Sequence, residues 1–361
     1  VWGAAERSAA PSVRGTRRSA TLAFAAALAL AAEIVAGCRQ AGADHPVATP
    51  SSTALTVPPA ESQTDAVRAL SKEGPVQVVR GTHSIVISNT GSGTDAHDLA
   101  NRVDAAVPAA AGFWRTSWPR PVVVLVPASL AHWQELTGLP PDPQVAAVTL
   151  GASSTETSRT GGGAASGSAS TTPGRDARAN ASPGSIAGGQ RIVVDPVAYR
   201  RLSDAGRSVV LRHEVEHLVS ASHTPPGMPS WLVEGTADVV GFTGSAIPVP
   251  QAAEELAAVV RRSGPPASLP SNADYLGGSS SVAYEEGWLA CRLIDRDKGA
   301  AALRSFYDGV AGGIRARGGT PSAGELNATL GNAMHQATGW SVSDFVNRWR
   351  ADLVHELGST A

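Results

Sequence analysis

The sequence predicts an α+β protein: a mixed β-sheet subdomain first, an α-helical subdomain second, and a histidine-bearing helix where they meet. Three observations carry this. The short β-branched runs all lie between Val76 and Asp195. From Ser203 onward, apolar residues recur at helical spacing. Between these regions stands His213-Glu214-Val215-Glu216-His217, inside an apolar run from Val209 to Val219.

Taken in order, Val76–Val79 and His83–Ile87 are β-type runs joined by Arg80-Gly81-Thr82, the pattern of a hairpin. A helical stretch follows from about Asp95 to Trp114. Pro121–Val126 is so β-branched and apolar that it reads as a buried strand. Ser129–Leu136 reads as a short helix, and Val145–Leu150 and Arg191–Asp195 as further strands. Ser203 or Asp204 can cap the helix that carries the histidines. Downstream, Gln251–Arg262, Val282–Asp295, Ala300–Val310, Ala323–Ala337 and Ser341–Leu357 all show helical periodicity.

Two stretches read as unstructured. Residues 38–64 are rich in Ala, Pro, Ser and Thr, and read as a tether. Residues 151–189, dominated by Gly, Ser, Ala and Thr, offer nothing to pack and read as a disordered insertion. The folded domain is therefore expected over residues 65–361.

Residues 1–37 read as an export signal. Arg14, Arg17 and Arg18 form a basic region, and Ala20–Ala32 is apolar but short for a membrane span. The segment ends in Val35-Ala36-Gly37-Cys38, which resembles a bacterial lipobox. That resemblance implies lipidation of Cys38 and an extracytoplasmic protein anchored to the membrane. Cys291 is then the remaining thiol; it lies in an apolar helical pattern and reads as a buried small hydrophobe. A net charge of −2 and the lack of a Lys/Arg cluster past the signal give no footprint for nucleic acid.

The chemistry lies in the H-E-x-x-H run. Residues four apart on a helix share a face, so His213 and His217 can present two imidazoles to one metal ion. Glu214 sits beside them as a base for water. A catalytic zinc needs a third protein ligand, and two residues compete for that place. His223 gives the histidine spacing of the metzincin peptidases, but Ser220 stands where those enzymes carry a glycine that turns the chain back. The rival is Glu234.

Trp231-Leu232-Val233-Glu234-Gly235-Thr236-Ala237 resembles the W-L-x-E-G-x-A segment of gluzincin metallopeptidases, the class of thermolysin and aminopeptidase N. The resemblance implies a gluzincin-like fold, Zn²⁺ held by His213, His217 and Glu234, Glu214 as general base, and a peptide or protein substrate. Tyr284-Glu285-Glu286-Gly287 is similar to the Y-x-K-G helix start of the aminopeptidases, which implies that Tyr284 donates to the oxyanion. Tyr275 is a weaker substitute. Asp238, one turn beyond Glu234, is a candidate to orient a histidine N–H, whereas Glu216 reads as structural. The G-x-M-E-N exopeptidase segment has no counterpart, and the gap from His217 to Glu234 is shorter than in the aminopeptidases. Two alternatives stand: an inactive metal- or partner-binding lipoprotein on the same fold, and a metzincin-like peptidase using His223.

Overall fold

The computed structural model describes residues 60–140, 142, 144–151, 190–276, 280–318 and 320–358. The segment read as an export signal, the lipobox-like run with Cys38, most of the stretch read as a tether and residues 152–189 of the Gly/Ser-rich stretch lie outside the described residues.

Five strands form one mixed sheet, in the order β1-β2-β3-β5-β4. They are β1 (Val76–Arg80), β2 (Ser84–Asn89), β3 (Val122–Val126), β4 (Ala147–Leu150) and β5 (Arg191–Val194). The hairpin is present, with Val76 opposite Asn89 and Arg80 opposite Ile85. The inner pairs β2–β3 and β3–β5 are parallel, and β4 runs antiparallel along β5 at the far edge. The inner strands are buried on both faces, which explains their nearly continuous apolar sequence.

The alternation of side chains divides the sheet into two packed faces. On one face Ile85, Ile87, Leu125 and Val193 meet Ala66 and Leu70 of α1 (Ala60–Leu70) and Trp133 and Leu136 of α3 (Leu130–Thr137). On the other, Val86, Val124, Ile192 and Val194 join the main core with α2 (Ala96–Trp114) and α5 (Asp204–Ser220). Asp95, Ser129 and Ser203 cap α2, α3 and α5 by accepting first-turn amides. Arg102 of α2 bonds Asp98 on its own helix and reaches Ser208 Oγ at 2.7 Å and the Asp204 carbonyl at 2.9 Å, bracing α2 against the start of α5.

Beyond a short α4 (Pro196–Arg201) and α5, the described chain is helical: α6 (Ser230–Gly241), α7 (Val249–Ala252), α8 (Glu254–Ser263), α9 (Ser280–Lys298), α10 (Ala300–Arg315), α11 (Ala323–Thr338) and α12 (Val342–Leu357). The fold is thus mixed α/β, with a five-stranded mixed sheet followed by a helical region. No described helix is long and apolar enough to cross a membrane.

Two local expectations need correction, and one short helix was not anticipated. Residues 60–64, read as the end of the tether, open α1, whose helix is supported by burying Ala66 and Leu70 against the sheet. The short α4, anticipated by neither composition nor period, is held by Asp195, which accepts the amides of Val197 and Ala198. The helix expected over Gln251–Arg262 is broken at Ala253 (φ −124°, ψ 49°) into α7 and α8. Glu285, on α9, accepts the Leu256 amide at 2.6 Å and so supplies from a distance the cap that α8 lacks locally.

Candidate metal centre

Helix α5 presents its histidines to α6, which crosses it. The crossing is close: a β-carbon at Gly241 of α6 would stand 3.1 Å from the Val209 carbonyl. Helix α6 begins after Pro229 without a side-chain cap of its own, and its Ser230 amide donates instead to Asn272 Oδ1 at 2.8 Å. Trp231 is buried against Phe306 and Phe345, with ring centroids 6.0 and 6.1 Å away. This anchoring turns Glu234 toward α5.

His213 Nε2 lies 3.0 Å from His217 Nε2, and each lies 3.3 Å from Glu234 Oε2. Four ligands at 2.0–2.1 Å around a tetrahedral zinc stand about 3.3–3.4 Å apart. Two edges of the observed triangle fall at that value, and the third is about 0.3 Å shorter.

The donor chemistry fits a cation. His213 donates its Nδ1–H to Asp238 Oδ1 at 2.8 Å, so a neutral His213 turns a bare Nε2 lone pair inward. Glu234 brings a carboxylate to the same point. Lone pairs this close repel unless a proton or a metal ion lies among them. In the metal-free protein, burial disfavours the charged imidazole of His213, yet Asp238 and Glu234 outweigh it and hold its pKa well above the ordinary value. His217 behaves likewise: burial opposes charge, and Glu234 overcomes it. Burial works against ionised Glu234, but the two histidines drive its pKa far down.

Glu216, read as structural, faces inward. It is buried, accepts Trp114 Nε1–H at 3.0 Å and Ser220 Oγ–H at 3.3 Å, and stands 3.6 Å from His217 Nδ1. Asp238 is thus hydrogen-bonded to His213, whereas Glu216 stands near His217 at 3.6 Å, beyond hydrogen-bond reach.

His223 is turned elsewhere. Its Nδ1 contacts Asp308 Oδ1 at 2.9 Å, and its ring lies over Trp114 with centroids 4.5 Å apart. Helix α5 ends at Ser220 and passes into Ala221 at φ −53°, without the left-handed turn that would bring His223 back to the cluster. Among the described residues, one other group of potential ligands gathers, Asp352, His355 and Glu356. Its carboxylates are already paired, Asp352 with Arg296 at 2.7 Å and Glu356 with Arg292 at 3.2 Å.

The cluster opens into a cavity of about 1000 Å³ lined by His213, His217, Glu234, Glu214, Thr149 and Tyr284. Val209, Val210, Phe242, Ile247 and Trp288 make an apolar wall. Glu214 is buried, and Thr149 Oγ1 donates to its Oε2 at 2.7 Å. Sequence reasoning missed Thr149, which lies 65 residues from Glu214 and belongs to no motif.

Tyr284 is the fifth residue of α9, past its first turn, with part of its ring exposed. Burial of its hydroxyl, then the charges of Glu234, Asp238 and Glu214, push its pKa up, so it stays a neutral donor. Tyr275 packs edge-on against it at 4.9 Å, but commits its own hydroxyl to the Ala283 carbonyl at 2.8 Å. Cys291, on α9, is fully buried against α6, its sulfur 3.7 Å from the Trp231 carbonyl.

Compared with known proteins, the chain matches no family model, no curated protein and no solved structure.

Proposed function

We propose that this protein is a zinc metallopeptidase of the gluzincin type, anchored outside the cytoplasm through a lipid on Cys38, that hydrolyses peptide bonds in an extended substrate. The observation that carries the reading is the triangle of His213 Nε2, His217 Nε2 and Glu234 Oε2 at 3.0–3.3 Å, open to a cavity that also holds Glu214.

His213, His217 and Glu234 would hold the zinc, with Asp238 bonded to His213 and Glu216 near His217. Bound there, zinc would supply Lewis-acid polarisation of the scissile carbonyl and of the attacking water. Glu214 accepts the proton of that water and passes it to the leaving amine. Tyr284 donates its phenolic hydrogen to the oxygen on which negative charge develops. The apolar wall excludes water and offers side-chain contacts to the peptide, while the edge of β4, unpaired among the described residues, offers main-chain hydrogen bonds to an extended chain. The membrane anchor rests on the lipobox-like sequence alone.

The test is elemental analysis of a fragment starting after Cys38, beside its Glu234→Ala variant, followed by a peptide-library digest with Glu214→Gln as control. One zinc per chain in the parent, lost in Glu234→Ala, with cleavage abolished in Glu214→Gln, supports the reading. A folded protein that takes up no zinc when supplied with it sinks the reading.

A further inference from the structure

We propose that Thr149 is the positioning residue for Glu214, and that it ties the aim of this carboxylate to the strand along which a peptide would lie. The inference rests on the reading of Glu214 as general base.

A glutamate side chain has three rotatable bonds, and the H-E-x-x-H helix fixes only where they start. A proton acceptor that is aimed before the reaction avoids the cost of ordering it during the reaction. Among the described residues, the Thr149 hydroxyl is the one hydrogen-bond donor to the Glu214 carboxylate. It reaches Oε2 at 2.7 Å and lies 3.0 Å from the Glu214 main-chain carbonyl. An ionised carboxylate is the stronger acceptor of the two, so the single hydroxyl proton goes there. Oε2 is thereby anchored, and Oε1 remains as the oxygen that meets water.

The donor is itself held firmly. Thr149 is paired opposite Ile192 in the antiparallel β4–β5 ladder. Strand alternation sends Val148 and Leu150 to the α1/α3 side of the sheet, and Ala147 and Thr149 to the α5 side. A β-branched residue on a strand has few χ1 choices. The hydroxyl position thus follows from the register of β4, whose other edge faces no strand among the described residues. A peptide that pairs with that edge would rest on the same strand that aims the base.

The test compares the zinc-supplied parent with Thr149→Val, which keeps the shape and removes the donor, and Thr149→Ser, which keeps the donor. With a peptide found in the library digest, Thr149→Val should lower kcat roughly 10- to 100-fold while KM and zinc per chain change by less than about twofold. Thr149→Ser should recover most of the lost kcat. A Thr149→Val variant with parental kcat, or a serine variant as impaired as the valine one, overturns the proposal. Crystal structures of the parent and Thr149→Val give a second readout that needs no activity: the Glu214 carboxylate should leave its place in the variant, and an unmoved Glu214 also overturns the proposal. A parent that neither binds zinc nor cleaves peptides defeats the peptidase reading instead, while the crystal comparison still decides whether Thr149 holds Glu214.

Discussion

Gly235 and Gly287 stand face to face where α6 crosses α9, and neither has room for a β-carbon. One built on Gly235 would overlap the Gly287 carbonyl and lie 2.8 Å from Cys291 Sγ; one on Gly287 would lie 2.5 Å from the Tyr275 hydroxyl and 3.0 Å from the Trp231 carbonyl. Contact without side chains lets the two helices approach closely. Glu234 precedes the first glycine by one residue and Tyr284 precedes the second by three, so the pair sets how far apart these two candidates stand.

Gly235→Ala should therefore destabilise the fold by about 1–3 kcal/mol, the usual cost of overpacking a tight contact. Gly312, in α10, meets nothing within 4 Å. Gly312→Ala should be neutral or stabilise by about 0.4–1 kcal/mol through helix propensity and a less flexible unfolded chain. Thermal melts of the two variants beside the parent measure both effects.

Asp238 fixes the tautomer of His213 through the 2.8 Å bond to Nδ1. Asp238→Ala frees that ring and should weaken zinc binding roughly 10- to 100-fold with little change in fold. Competition against a chelator of known affinity, with circular dichroism as the fold control, reads the change directly.

Tyr284→Phe removes a hydroxyl and leaves the ring against Tyr275. If Tyr284 supplies the donor to the developing charge, kcat should fall roughly 10²- to 10³-fold while zinc content is unchanged. Tyr275→Phe, whose hydroxyl serves the Ala283 carbonyl, should affect melting temperature more than kcat.

Metal-free and zinc-loaded protein should respond to pH with opposite signs. In the metal-free state burial lowers the pKa of His213 and His217, but Asp238 and Glu234 raise that of His213, and Glu234 raises that of His217, above 6.5. A raised folded-state pKa means that the folded chain holds its protons more tightly than the unfolded one. The resulting stability is fully present below the unfolded value of 6.5, and is lost as pH rises through the folded values. Zinc needs the same nitrogens deprotonated, so its binding strengthens over that range. The gain in melting temperature on adding zinc should grow from pH 6 to pH 8, and a gain that shrinks would show that the imidazoles are not the ligands.

Much of this was legible in the chain, because the signals are local. Helical spacing puts His213 and His217 on one face whatever surrounds them, and the β-branched runs of β2 and β3 report burial on both sides without need of a partner. The H-E-x-x-H and W-L-x-E-G-x-A segments marked His213, His217 and Glu234 in advance, and the ends of α2, α5, α9, α11 and α12 fall within a few residues of where capping and periodicity put them, whereas α10 runs five residues past Val310. Other features carried no local signal. Helix α1 exists because the sheet buries Ala66 and Leu70, and α8 can start without its own cap because Glu285 reaches the Leu256 amide. The inward turn of Glu216 depends on Trp114, 102 residues earlier. Which oxygen of Glu214 is tethered depends on a threonine in a strand whose place at the edge of the sheet follows from its pairing with β5. The sequence by itself put His213 and His217 on one face of a helix, since residue type and helical period suffice for that, and a resemblance singled out Glu234 as their candidate partner. Their mutual distances, and the company each keeps, were decided by the tertiary structure, because they arise where elements far apart in the chain pack together.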